Sequence, residues 1–146
     1  MRVGGTPYRS IFLDEDAWGV RVVDQTVLPH RFRFLRLESA DDVVRAIRSM
    51  VVRGAPLIGA AAAYGVALAV RADPSDASLE DALERLAATR PTAVNLRWAL
   101  HRMDEVARDL PPELRADACY REAASLCGED VELNRAIGGH GLAILH

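Results

Sequence analysis

Over the first 37 residues, apolar and polar positions alternate in short runs, and from Ser39 onward they recur every three or four residues. Tyr8-Arg9-Ser10-Ile11-Phe12-Leu13, Gly19-Val20-Arg21-Val22-Val23-Asp24 and Arg31-Phe32-Arg33-Phe34-Leu35-Arg36-Leu37 predict three strands. The last has the clearest period of two, which implies one solvated face. The acidic turn Asp14-Glu15-Asp16 and the segment Gln25-Thr26 to Pro29 separate them. Connections this tight predict an antiparallel meander.

Ser39 and Asp42 form a capping-box-like helix start, with Val43, Val44, Ile47 and Met50 expected on one face. Pro56 opens a second helix, to about Arg71. It is apolar nearly all round and is expected to be the central helix. Its apolar run from Ala55 to Val70 is short for a membrane span and reads as core. Asp73-Pro74-Ser75-Asp76 ends it. Ser78 is expected to cap a short helix that carries Leu79, Leu83 and Leu86 on one stripe. Arg90-Pro91 interrupts, because the residue before a proline disfavours the helical region. Thr92 is the expected cap of the next helix, with Leu96, Leu100, Met103, Ala107 and Leu110 facing inward. Pro111-Pro112 opens a further helix near Glu113. Gly128, Gly138, Gly139 and Gly141 make this last stretch uneven, and either close packing or breaks would account for them. The predicted class is α+β: a three-stranded meander over 1–37, then a bundle of about five helices over 39–146.

A chain of 146 residues is one domain by size. Its net charge of −3 argues against a broad nucleic-acid surface. All 18 basic residues are arginine, which reads as coding bias. Cys119 and Cys127 fit neither a CxxC pair nor a zinc spacing, and reduced thiols in a cytosolic protein are expected. The stretch Met1 to Pro7 carries no apolar run of the kind a signal peptide needs. His30, His101, His140 and His146 are scattered, and no metal is expected among them.

Chemistry concentrates in Met50-Val51-Val52-Arg53-Gly54-Ala55-Pro56-Leu57-Ile58-Gly59. A helix mouth presents unpaired N–H groups and the positive end of the helix dipole. Proline suits the first helical turn, glycine lets a ligand approach the backbone, and a guanidinium fits phosphate oxygens. Together Arg53, Gly54 and Ala55 read as half of a phosphate site. Arg90-Pro91-Thr92-Ala93-Val94-Asn95 repeats the pattern of an arginine before a helix. The plain alternatives are a surface arginine at a turn for Arg53 and a cation on the preceding helix's carbonyls for Arg90. Tyr64 reads as a core residue or a ligand contact, Asn95 as a helix cap or a sugar contact, and His140 as a carbonyl partner or a residue at a domain junction. Trp18 and Trp98 read as packing residues.

Five stretches carry a resemblance to a known family. They are Tyr8 to Ile11, Asp24 to Pro29, Met50 to Ala69, Arg90 to Leu100 and Asn134 to Leu142 (NRAIGGHGL). The chain resembles the N-terminal part of the 5-methylthioribose-1-phosphate isomerases, relatives of the translation initiation factor 2B regulatory subunits. The resemblance implies an aldose–ketose isomerisation in methionine salvage, without redox cofactor or metal. Arg53, Gly54, Ala55 and Arg90 match the family's substrate-binding positions. The family's catalytic cysteine, in a Thr-His-Cys-Asn segment, and its catalytic aspartate lie in a Rossmann-like C-terminal domain beyond the matched region. Neither Cys119 nor Cys127 has those neighbours. The resemblance therefore implies a substrate-binding domain that is inactive alone and docks on its own C-terminal domain, with the full-length protein a cytoplasmic homodimer. An apolar face around Ile137, Leu142 and Ile144 is expected to be left exposed. Rival readings are an isomerase of ribose 1,5-bisphosphate or 5-deoxyribose 1-phosphate, and a non-catalytic regulatory module.

Overall fold

In the computed structural model, which describes residues 2–145, the chain opens on a hairpin that the strand pattern does not announce. Strands β1 (Arg2–Val3) and β2 (Thr6–Pro7) pair across Gly4-Gly5. Both glycines are left-handed, with φ of 55° and 85°. A two-residue turn that matches the natural twist of a hairpin needs positive φ at both positions, which Gly-Gly supplies without steric cost.

The predicted meander follows as β3 (Ile11–Leu13), β4 (Val20–Val23) and β5 (Phe34–Leu37), antiparallel in that order. Its rungs Ile11–Val22–Leu35 and Leu13–Val20–Leu37 face the helices and form one side of the core. The rung between them, Phe12–Arg21–Arg36, faces the other way. Phe34 lies on that outer side too. Tyr8, Phe12, Phe32 and Phe34 gather there, with ring centroids 5.0–5.7 Å apart. The period-two reading of Arg31 to Leu37 is thus broken at Phe34-Leu35, where two apolar residues face opposite sides of the sheet.

Helix α1 (Ala40–Arg48) begins as predicted: the Ser39 hydroxyl oxygen accepts from the Asp42 N–H at 3.2 Å, and the Asp42 carboxylate accepts from the Glu38 N–H at 3.0 Å. Met50 does not continue its face. The helix has already ended, and Met50 is left-handed (φ 64°) and partly exposed. Helix α2 (Ala55–Ala72) is the expected central helix, packed by α1, by β3 and by the three helices that follow. By length and composition it is apolar enough to cross a membrane, yet its surface is taken up by those neighbours. Small residues let them close in: a Cβ on Gly59 would lie 2.9 Å from the Asn95 carbonyl oxygen.

Helix α3 (Asp76–Ala87) starts earlier than predicted, with Ser75 rather than Ser78 as its cap; Ser75 Oγ accepts from the Ser78 N–H. Helix α4 (Val94–Ala107) is flanked by Ala93, and the Thr92 side chain makes no cap. Leu110 lies beyond its end. Helix α5 (Pro112–Leu145) is continuous for 34 residues, so its glycines mark no break. A Cβ added at Gly128, Gly138, Gly139 or Gly141 would meet nothing within 4 Å among the described residues either. The first half of α5 buries Ala118, Cys119, Ala123 and Leu126. The second half projects, and Ile137, Leu142 and Ile144 are 62%, 56% and 85% exposed, as the sequence led us to expect.

Arg115, at the start of α5, is buried and went unremarked in the sequence. Its guanidinium donates to the carbonyls of Ala107, Leu110, Arg108 and Pro74 and pairs with Asp76 at 2.6 Å. One cation thereby closes the end of α4, the start of α3 and the connection into α5. Arg115→Met keeps the apolar stem and strands these carbonyls. We expect it to cost at least about 3 kcal/mol, since charged hydrogen bonds contribute about 1.5–3 kcal/mol each; urea unfolding of the two proteins measures the difference.

Candidate functional site

The entry to α2 is set from two sides. Asp24 is fully buried at the end of β4. Its Oδ1 accepts from the Thr26 hydroxyl (2.6 Å) and N–H (3.0 Å), and its Oδ2 from Nε and Nη2 of Arg33 (2.9 and 2.6 Å). These bonds, the Thr26 hydroxyl foremost, hold the carboxyl below its ordinary value of 3.8 against the opposing effect of burial. The next residue, Gln25, donates its N–H to the Val51 carbonyl (3.1 Å) and its side-chain amide to the Arg53 carbonyl (3.3 Å). On the other flank the Val52 N–H donates to the Ala46 carbonyl (3.1 Å), and Val52 is wholly buried.

Beyond this pinned run, Gly54 turns the chain at φ 103° and its carbonyl accepts from Ile58, the first bond of the new helix. Only glycine adopts that φ without strain. The space around it is open, so the residue is required for conformation rather than for room. Pro56 lies in the first turn. The N–H groups of Gly54 and Ala55 have no acceptor among the described residues, and both residues are exposed. Arg53 is exposed and without a carboxylate partner among the described residues. Arg90 lies against the run before this turn, its Nη1 3.2 Å from the thioether sulfur of Met50, and it too has no ion pair among the described residues. Arg53, Gly54 and Ala55 thus form an open, cationic helix mouth, and Arg90 is tied to Met50, three residues before Arg53.

Two clefts flank the first turn of α2 and share Pro56, Ala60 and Asp130. The larger, about 640 Å³, is walled by Pro56, Val94, Trp98, Leu126 and Leu133, with Asn95 at its edge. The smaller, about 270 Å³, is lined by Arg9, Ser10, Pro56, Cys127 and Asp130 among others. Asn95 makes no cap to α4, which removes one of its two sequence readings. Trp98 is half exposed, with the Arg102 guanidinium 5.2 Å from its ring, so it walls a cleft rather than filling the core. Trp18 does pack, between the guanidinium groups of Arg36 and Arg71. Arg9 and Gln25 were missed as site residues. The stretches containing them had been noted, but nothing in their local pattern says that they return to the mouth of α2.

The titratable groups beside the mouth suit holding rather than proton transfer. Glu129 accepts from both Nη atoms of Arg102 and from Ser125, which lowers its carboxyl. Burial pushes the thiols of Cys127 and Cys119 up to about 11. Tyr64 is buried against Tyr120 and Cys127, and burial raises its phenol as well; it is a core residue. His101 faces Glu105 on α4, His30 and His140 are exposed away from any ligand cluster, and His146 lies outside the described residues.

The fold and this mouth define an α+β domain built around a helix whose cationic start is left open. The sequence profile of the Initiation factor 2 subunit family matches residues 51–146. The methylthioribose-1-phosphate isomerase of Acidiphilium cryptum is 59% identical over 146 residues, covering 99% of this chain and 40% of that protein. The crystal structure of 5-methylthioribose 1-phosphate isomerase from Pyrococcus horikoshii OT3 superposes with a TM-score of 0.83 at 34% identity, over 91% of this chain and 39% of that one. The translation initiation factor eIF-2B delta subunit from A. fulgidus does so with a TM-score of 0.74 at 38% identity, over 86% and 38%. The chain belongs to the Initiation factor 2 subunit family, and within it corresponds to the N-terminal part of the methylthioribose-1-phosphate isomerases. It spans about two-fifths of the length of the curated isomerase relatives it matches.

Two measurements check the electrostatics of this region. Because the Asp24 carboxyl is held below 3.8 in the folded protein, its contribution to stability is present above that pH and is lost as acidification passes through the lowered value. Asp24→Asn should therefore lower the melting temperature at neutral pH and flatten its fall between about pH 4 and pH 2. Thiol-reagent titration at pH 7.5 should find both cysteines slow in the native chain and fast in urea, since each is held as the neutral thiol.

Proposed function

We propose that this chain is the phosphate-gripping part of an aldose–ketose isomerase that converts 5-methylthioribose 1-phosphate to 5-methylthioribulose 1-phosphate in methionine salvage. The observation that carries the proposal is the exposed start of α2, where Arg53 has no carboxylate partner and the Gly54 and Ala55 N–H groups no acceptor among the described residues, with Arg90 close by on Met50, in a chain 59% identical to such an isomerase. Phosphate at the helix mouth meets two forks of donors, two backbone donors and the positive end of α2.

The chemistry explains why a firm grip is wanted. Phosphorylation of the anomeric oxygen locks the sugar as a ring. The ring oxygen must take a proton as its bond to C1 breaks, the protons on C2 and on its hydroxyl must be removed as the C2 carbonyl forms, and a proton must be returned to C1. Carbon C1 is reduced and C2 oxidised within one molecule, so no external electron acceptor enters. The acid and base act on atoms next to the phosphate, and fixing that phosphate fixes the distance to them. In this reading Arg53, Gly54, Ala55 and Arg90 bind, while the acid and base belong to the length of the relatives that this chain does not span. Docking of that part on α5, a homodimer and a cytoplasmic location come with the same reading.

A second reading, a non-catalytic regulatory subunit, draws on the likeness to the A. fulgidus initiation factor subunit. An isomerase of ribose 1,5-bisphosphate or 5-deoxyribose 1-phosphate would use the same grip, and substrate profiling separates these sugars.

Arg53→Ala in the full-length isomerase should weaken binding of the methylthio sugar phosphate by about 1.5–3 kcal/mol, the range for hydrogen bonds to a charged group. Isothermal titration measures it, and unchanged affinity refutes the phosphate assignment. The 146-residue chain should bind the sugar phosphate without turning it over.

A further inference from the structure

We infer that Gln25 is a positioning residue for the anion grip: its side-chain amide locks the peptide plane between Arg53 and Gly54, so that the Gly54 N–H points into the mouth of α2. The inference rests on the phosphate reading above and deepens it.

In a trans peptide the carbonyl and the N–H of one plane point in opposite directions. The Arg53 carbonyl is held at 3.3 Å by the Gln25 amide, on the side of the β4–β5 connection. The N–H of Gly54 belongs to the same plane and must therefore point away from Gln25. Without that bond little would oppose rotation of the plane. Gly54 adopts positive and negative φ almost equally well. No side chain would be displaced around it either, since the space beside its Cα is open. A rotated plane would present a carbonyl oxygen to a phosphate and leave Arg53 to bind against it.

The rest of the local structure makes Gln25 a firm anchor. Its own N–H holds the Val51 carbonyl at 3.1 Å, two residues before the carbonyl that its side chain holds. Val52, between them, is tied to α1 through the Ala46 carbonyl. The backbone of Gln25 follows the buried Asp24, whose four hydrogen bonds to Thr26 and Arg33 leave the turn little freedom. The backbone bonds survive any substitution of the Gln25 side chain, so the effect on the plane separates from the effect on the fold.

The test uses the 146-residue chain and inorganic phosphate, with the backbone amide signals of Gly54 and Ala55 followed by NMR and the melting temperature recorded for each protein. Gln25→Met keeps length and loses the donor; Gln25→Glu replaces the donor with an acceptor that repels the carbonyl. The wild-type chain should show saturable phosphate shifts at Gly54 and Ala55. In Gln25→Met the affinity should fall about three- to tenfold, as expected for one neutral hydrogen bond. The Gly54 amide signal should move even without phosphate, and the melting temperature should stay within about two degrees. Gln25→Glu should bind more weakly still, and if it does not fold, the Met variant alone decides. Equal affinity in wild type and Gln25→Met overturns the positioning role and leaves the phosphate reading standing. A lowered melting temperature with unchanged phosphate affinity overturns it in favour of a purely structural role. No phosphate response at Gly54 in the wild type overturns both.

Discussion

A helix packed on all sides by other elements has only its ends to offer. That constraint governs this domain. α2 is covered by four other helices and by the edge of the meander, mostly through apolar and small residues. The helix dipole and the unpaired N–H groups at its start cannot be buried without partners, because each orphan group would cost its full desolvation. The chain therefore brings the start of α2 to the surface and leaves it open. Whatever anion the domain holds has to be held there, and the arrangement of the sheet and the other helices follows from the need to enclose the remainder of α2.

The sheet's part in this is easy to undervalue. β3 to β5 contribute one wall of the core, yet the connection after β4 also carries Asp24 and Gln25 to the run before Gly54. The β-rich and helical parts of the chain are thus joined by polar contacts as well as by packing. A second tie lies at the opposite end of α2, where Trp18 is held between Arg36 and Arg71 and its carbonyl accepts from the Tyr120 hydroxyl at 2.8 Å. Aromatic and guanidinium groups attract through the ring's quadrupole, and the contact strengthens where water is excluded.

Much of the fold was legible because it is written in local patterns. The meander, the all-round apolar character of α2 and the Ser39–Asp42 cap were read from spacing and composition, while the exposed apolar residues late in α5 followed from the family resemblance. The misses have physical reasons. The Gly4-Gly5 turn is a hairpin signal, but its strands are only two residues long and leave no periodicity to detect. Ser75 wins over Ser78 as a cap because a cap needs an extended backbone, which Ser75 has (φ −67°, ψ 156°), while Ser78 already lies inside the helix and supplies the N–H that is capped. Thr92 loses to Ala93 since the turn after Pro91 carries the threonine away from the helix start. The candidate site was legible as residue types at Arg53, Gly54, Ala55 and Arg90. Its support was not, since Gln25 acts on a partner far along the chain, and no short window shows a bond between residues 25 and 53.

The far half of α5 has an implication for how the molecule behaves in time. Residues 134–142 are almost all exposed, and three of them are glycines. Each glycine forfeits about 1 kcal/mol of helical preference relative to alanine. A stretch so composed is held in shape by propagation from the packed turns before it, and its amide protons will exchange with solvent long before those of α2. Any surface that settles on Ile137 and Ile144 must then supply the energy to arrest that opening. Its arrival would be felt back along the same rod at Leu126 and Asp130, which line the clefts beside the first turn of α2.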